Sequence, residues 1–143
     1  MELKNKKINF LGDSITEGGA SSCLENGYVS IFGRLSGAEV RNYGVGGTRI
    51  ARQRSKTETP SWDLDFVMRA DEMDDDADII VVMGGTNDFA RGDAPIGNME
   101  SRDVYTFYGA LHILCQKLIT KYPYATIVFM TPTHRSDEDS LLN

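Results

Sequence analysis

Three short polar turns hold the residues whose types and spacing could do chemistry. The first is Gly12-Asp13-Ser14-Ile15-Thr16-Glu17-Gly18-Gly19, the second Asn42-Tyr43-Gly44-Val45-Gly46-Gly47-Thr48, and the third Gly84-Gly85-Thr86-Asn87-Asp88. A serine in a tight turn between a strand and a helix can be exposed toward a substrate carbonyl. Its own N–H then lies at a helix N-terminus, where the dipole favours negative charge. Gly47 can offer a second backbone N–H, because glycine allows close approach and positive φ. The Asn87 side-chain amide can offer a third donor. Three fixed donors aimed at one oxygen make an oxyanion hole, so the chemistry these turns support is acyl transfer through Ser14. Taken singly, each residue has a plainer role: Ser14 and Asp13 cap, Asp88 holds a loop, and Gly12, Gly84 and Gly85 shape the backbone. The three turns together favour the nucleophile position for Ser14.

Elements of regular structure must bring these turns together. Strand-length apolar runs lie at 8–11, 40–45, 79–83 and 126–130. The third and fourth are nearly continuous, which suits strands covered on both faces of a parallel sheet. Between them, Tyr28, Ile31, Phe32 and Leu35 recur at helical spacing, with Gly37 placed to end the helix. A weaker helix is expected over 62–70, with Ser61 as N-cap and Leu64, Val67 and Met68 on one side. The longest helix is expected over about 101–122, with Val104, Tyr108, Leu111, Cys115, Leu118 and Tyr122 as its stripe, stopped by Pro123. Strand-helix alternation predicts a doubly wound α/β fold around a parallel sheet. Ligands of such sheets bind outside the carboxyl ends of the strands, near the switch point. The three turns follow strands one, two and three, so they should converge there.

Composition narrows the function classes. The chain has 143 residues, the length of one domain, and 15 basic against 21 acidic residues give a net charge of −6. That balance argues against broad nucleic-acid or anionic-membrane binding. Cys23 and Cys115 match no zinc or redox spacing, and free thiols are expected. The apolar stretch after the lysines at 4, 6 and 7 is too short for a signal peptide, and no membrane-length run occurs, so a cytoplasmic location is expected. Residues 71–78 hold six acids in eight but lack the alternation and glycine of a calcium loop, and a solvated loop is expected. Arg49, Arg52, Arg54 and Lys56 are likewise expected on a solvated loop, or facing an anionic substrate. A flavodoxin-like phosphate or flavin site is disfavoured, because Asp13 and Glu17 flank the first turn and no P-loop occurs.

The sequence resembles the GDSL lipases, or SGNH hydrolases: Gly12-Asp13-Ser14-Ile15-Thr16 looks like their block I, Asn42 to Gly47 like block II, and Gly84-Gly85-Thr86-Asn87-Asp88 like block III. The resemblance covers residues 8 to about 131, in order. It implies a flavodoxin-like three-layer α/β/α fold and an ester hydrolase with Ser14 as nucleophile and Gly47 and Asn87 as oxyanion donors, Gly46 being the neighbouring candidate. It implies no metal or organic cofactor, and a small acyl ester, an acylated sugar or a lipid as substrate. Family members carry an Asp-x-x-His block whose histidine is the general base. Here Asp137 is followed at that interval by Ser140. The expectation is therefore a single SGNH domain over 1–143, shortened to about four strands and lacking its last strand and helix. The alternative is a catalytically incomplete member that binds substrate without turnover. Self-association or pairing through an exposed fourth-strand edge is expected with it. His112 reads as structural in mid-helix. His134, just past strand four, is a candidate substitute base or substrate contact, and Asp13 a candidate substrate contact beside its capping role.

Overall fold

Alternate residues of the first strand serve two separate cores. In the computed structural model, which describes residues 2–19 and 21–133, strand β1 (Lys7–Gly12) turns Ile8 and Phe10 to one side and Leu11 to the other. On the first side the nine-residue helix α2 (Tyr28–Ser36) lays Val29, Tyr28 and Phe32 over them, with Phe10 edge-on to both rings. On the second side Phe66, Leu114 and Leu118 are fully buried against Leu11, Ile80 and Val82. Those residues come from α3 (Phe66–Arg69), α5 (Phe107–Lys121) and strand β3 (Ile79–Met83). Strands β2 (Glu39–Gly44) and β4 (Thr126–Met130) complete one parallel sheet in the order β2-β1-β3-β4. Helices on both faces make this the doubly wound α/β fold expected from the alternation.

Register decides where the turns go. Gly12 at the end of β1 pairs with Gly44 of β2 and with Met83 of β3, so the three strands end level. The short helices α1 (Ser14–Glu17) and α4 (Thr86–Arg91) start at those ends. The chain leaves β1 for β2 on one side and returns to β3 on the other, which sets the switch point between the turns of Ser14 and Asn87.

Several local expectations are corrected by packing. The helix expected over 62–70 is instead a 3₁₀ turn at Pro60–Asp63, then α3, then a second 3₁₀ turn at Ala70–Glu72. Its cap is Asp65, which accepts from Met68 N at 2.8 Å, rather than Ser61. Leu64 and Met68 are exposed, while Phe66, Val67 and Arg69 are buried. Helix α5 begins at Phe107, behind the Thr106 cap, and buries Ala110, Leu114 and Leu118. Leu111 and Cys115 of the expected stripe are only half-buried, a rotation of the buried face of less than one turn. In α2, Leu35 is 84% exposed and Ile31 is also exposed, because Val29 takes the central position.

The acidic run is solvent-exposed as expected, and its carboxylates are ion-paired at the surface. Asp76 pairs with Lys7 and with Arg41 at 2.6 Å, Asp78 with Lys6 at 3.1 Å, Asp71 with Lys117 at 2.6 Å and Asp75 with Lys121 at 3.1 Å. It forms an ion-paired strap across the amino end of the sheet. Hydrogen bonds from Arg41 and then Lys7 hold the Asp76 carboxyl far below its ordinary range. Strand β4 has the exposed edge expected of it but, among the described residues, lacks the two-sided cover its apolar run suggested. Among the described residues it is the sheet edge, and Val128, Phe129 and Met130 are about 40% exposed. No helix of the described residues is long and apolar enough to cross a membrane.

Candidate active site

The turn after β1 is held by its own aspartate. Asp13 Oδ1 accepts from Ile15 N at 3.0 Å and caps α1, whose C-terminal Gly18 is left-handed at φ 102°. Asp13 is 1% exposed, and burial pushes its carboxyl up from the ordinary range, with the Arg69 charge opposing that. Its carboxylate faces the backbone and the interior, which corrects the expectation that it could touch substrate. Ser14 is half-buried, and among the described residues its hydroxyl has no hydrogen-bond partner.

Block II is pressed onto this turn. The Asn42 side chain donates to the Thr16 carbonyl at 2.8 Å, and the Gly46 N–H donates to Glu17 Oε2 at 2.9 Å. A Cβ placed on Gly44 would overlap the Glu17 nitrogen, so the α1 backbone crosses the end of β2 where only glycine fits. A Cβ on Gly46 would lie 3.7 Å from Ser14 Cβ, which puts the Gly46-Gly47 peptide beside the serine. Gly47 has φ +76°, and a Cβ there would stand 2.5 Å from three ring atoms of Trp62. The left-handed turn and the aromatic wall both require glycine at this position. The Arg91 guanidinium lies 5.7 Å from the Trp62 ring centre.

The third turn is tied to the second. The Asn87 side-chain N–H₂ donates to the Thr48 carbonyl at 3.0 Å, which fixes the amide and leaves its other hydrogen free of that bond. Asp88 accepts from Ile50 N and Ala51 N, both at 2.9 Å. This is the loop-holding role, and burial raises its carboxyl against those two bonds. Asp88 and Phe89 of α4, with Ala94, Ile96 and Phe107, line a largely apolar cavity of about 280 Å³.

Two arginines that sequence reasoning did not place as internal stand beneath this surface. Arg49, expected on a solvated basic loop, is 4% exposed and donates to the Trp62 and Arg91 carbonyls at 3.4 and 3.2 Å. Arg52 pairs with the buried Asp65 at 2.7 Å, whereas Arg54 and Lys56 are exposed as expected. Arg69 is 5% exposed and donates to Thr48 Oγ1 at 2.9 Å, to the Gly12 carbonyl at 3.1 Å and to the Tyr43 carbonyl. Burial brings its pKa down to about 10. Nothing in the local pattern marks it, since an arginine near a helix end ordinarily faces water. His112 lies on the exposed face of α5. His134 lies outside the described residues. No group of three or more potential metal ligands occurs among the described residues.

A parallel, doubly wound sheet that gathers a turn serine, a left-handed glycine and a pinned asparagine amide at its switch point defines the three-layer α/β class whose sites sit on carboxyl-edge loops. Within that class, the chain belongs to the GDSL-like lipase/acylhydrolase family, whose sequence profile matches residues 10–142. Among solved structures, one chain is 36% identical over 98% of this chain, with a TM-score of 0.82. A protein from Lactobacillus plantarum is 32% identical over 94%, with a TM-score of 0.72. This chain spans 63% and 60% of those two chains. A Bacteroides uniformis protein assigned as a GDSL-like lipase is 27% identical over 95% of this chain and 75% of its own, with a TM-score of 0.75. A family two carbohydrate esterase from Clostridium thermocellum, solved with cellohexaose, shares the fold at 18% identity, over 99% of this chain and 48% of its own, with a TM-score of 0.68. No curated protein matches the chain.

Proposed function

We propose that this chain carries the nucleophile and oxyanion hole of an ester hydrolase. The observation that carries the reading is the tie between the turns: Gly46 lies beside Ser14, and two residues on, the Thr48 carbonyl holds the Asn87 amide. Ser14 Oγ attacks the acyl carbon and its proton passes to a base. The carbonyl oxygen becomes an oxyanion facing the N–H groups of Ser14 and Gly47 and the free hydrogen of the Asn87 amide. Collapse of that intermediate breaks the ester C–O bond, the alcohol takes up a proton, and water then hydrolyses the acyl-Ser14 by the reverse sequence. The cavity beside α4 is apolar and of a size for a short acyl chain, which supports a small acyl ester as substrate. The chemistry needs neither a metal nor an organic cofactor.

A second reading is substrate binding without turnover. Ser140, standing three residues after Asp137 where family members carry the histidine, favours it, since a serine without a base is a weak nucleophile. Hydrolysis of p-nitrophenyl acetate by the full chain, beside its Ser14→Ala variant, decides between them. Turnover lost with the serine supports the hydrolase, and His134→Ala then asks whether that histidine is the base. Equal rates in the two proteins support binding alone.

A further inference from the structure

A charge that ester cleavage does not consume lies directly beneath the site. The Arg69 guanidinium reaches three segments far apart in the chain: the Gly12 carbonyl that precedes the Ser14 turn, the Tyr43 carbonyl at the end of β2, and the hydroxyl of Thr48. Thr48 is 1% exposed; its hydroxyl also donates to the Val45 carbonyl at 2.7 Å, and its own carbonyl receives the Asn87 amide. The loop from Val45 to Thr48, with Gly47 inside it, is thus clamped from below by Arg69, and Asn87 is hung on that loop. Val45 N in turn donates to the Gly12 carbonyl at 3.1 Å, so one carbonyl oxygen receives both the loop and the arginine.

We propose that Arg69 is the positioning residue of this site: it holds the Gly47 N–H and the Asn87 amide in register with Ser14 through Thr48 and the Gly12 and Tyr43 carbonyls. Stability alone does not call for an arginine here. A buried charge loses its hydration, and well-packed apolar residues of similar volume often serve a fold as well or better. What apolar residues cannot do is tie three polar acceptors from three distant segments together. The planar guanidinium fork can, and a lysine ammonium cannot reproduce that geometry. Misplacing oxyanion donors by about an ångström is enough to slow chemistry on the order of a hundredfold. The proposal rests on the reading of Ser14, Gly47 and Asn87 given above.

Two variants of the full chain test it, Arg69→Lys and Thr48→Val; the second keeps the side-chain shape and removes the hydroxyl with both its bonds, from Arg69 and to the Val45 carbonyl, whereas the first leaves the Val45 bond in place. Amide spectra in ¹H and ¹⁵N read the Gly47 N–H and the Asn87 side-chain NH₂. Labelling of Ser14 by a fluorophosphonate reads reactivity: the Oγ–P bond forms, the P–F bond breaks, and the hydroxyl proton leaves with fluoride. The expected result is that both resonances move in Thr48→Val while signals from β3 and α5 stay. The maximal labelling rate falls roughly 10- to 100-fold with half-saturation unchanged. Folded Arg69→Lys shows the same pattern; if it does not fold, Arg69→Gln beside Thr48→Val decides, since Arg69→Gln keeps the Thr48–Val45 bond. Unchanged Gly47 and Asn87 resonances in Thr48→Val, or a rise in half-saturation at unaltered maximal rate, overturn the positioning role. Wild-type chain that labels no faster than Ser14→Ala overturns the hydrolase reading instead, and the spectra then judge the placement by Arg69 on their own.

Discussion

The Asn87 amide uses one hydrogen to reach the Thr48 carbonyl, which orients the other, and that division of labour is what makes the residue testable. Asn87→Ala is expected to lower Ser14-dependent ester cleavage by about 10²–10³-fold, the usual effect of losing one oxyanion donor, with thermal unfolding nearly unchanged. Unaltered turnover would remove Asn87 from the oxyanion hole. At Gly47 the prediction is about shape. Alanine there must adopt φ +76° and meet the Trp62 ring 2.5 Å away, so Gly47→Ala should cost about 1–3 kcal/mol in urea unfolding. Adding Trp62→Ala should restore the steric part of the loss and leave the left-handed strain. If the double variant recovers nothing, the clash with Trp62 is not the cause.

Among the elements, α3 and the acidic strap carry the most specific expectations. Asp65 caps α3 at Met68 N and pairs with Arg52 at 2.7 Å while itself 2% exposed. Asp65→Ala therefore removes a cap and strands a cation, and should cost about 1–2 kcal/mol from the cap alone. A loss near zero in the urea midpoint would show that α3 is held by Phe66 and Val67 instead. In the strap, Arg41 and Lys7 depress the Asp76 carboxyl, and the Lys7 backbone N–H and Lys6 depress that of Asp78. A carboxyl whose folded pKa lies below its unfolded value of 3.8 adds stability that is fully present above that pH. The contribution is lost as pH falls from there through the folded value. The urea midpoint should accordingly drop on acidification below about pH 4, and the drop should be smaller in Asp76→Asn. The buried, raised carboxyls of Asp13 and Asp88 act with the opposite sign, since the folded state holds their protons to higher pH. A variant with an unchanged acid response would mean that the Asp76 pairs are screened out.

For the molecule as a whole, the two faces of the sheet are unequally covered. Helices α3 and α5 cover one face across β1 and β3, whereas α2 reaches only β2, β1 and part of β3 on the other. Beyond it, Ile8, Phe10, Phe32, Val81, Val128 and Met130 line an apolar groove of about 370 Å³. Apolar surface of this kind binds hydrophobic dyes. The native chain should enhance anilinonaphthalene sulfonate fluorescence, and Val128→Lys should reduce that enhancement at unchanged helix content. Equal enhancement in both proteins would place the dye elsewhere. The apolar run over 126–130 has the composition of a strand covered on both faces, yet among the described residues β4 is the sheet edge and Val128, Phe129 and Met130 are about 40% exposed.

The sequence alone was enough for the four strands, two of them (79–83 and 126–130) to the residue, for the end of α2 at Gly37, and for the three turns that meet at the carboxyl edge. Those features are local: β-branched runs, glycines that need positive φ, and polar residues where strands stop. The family resemblance rested on the same local signals. Burial of particular polar groups was not local and could not be read. Arg69 reaches Gly12 across 57 positions, and Arg49 reaches the Arg91 carbonyl across 42, and both are buried. An arginine looks solvated until the fold supplies its buried partners, whereas the run of acids stays at the surface and only its ion-pair partners come from the fold. The same limit applied to the buried face of α5, where the expected stripe is centred on Leu111 and Cys115 and packing against β3 selects Ala110 and Leu114. Chemistry-bearing residue types and their spacing were written in the chain; which charges lie inside, and which of them hold the oxyanion loop, was decided only when distant segments came to share the same buried space.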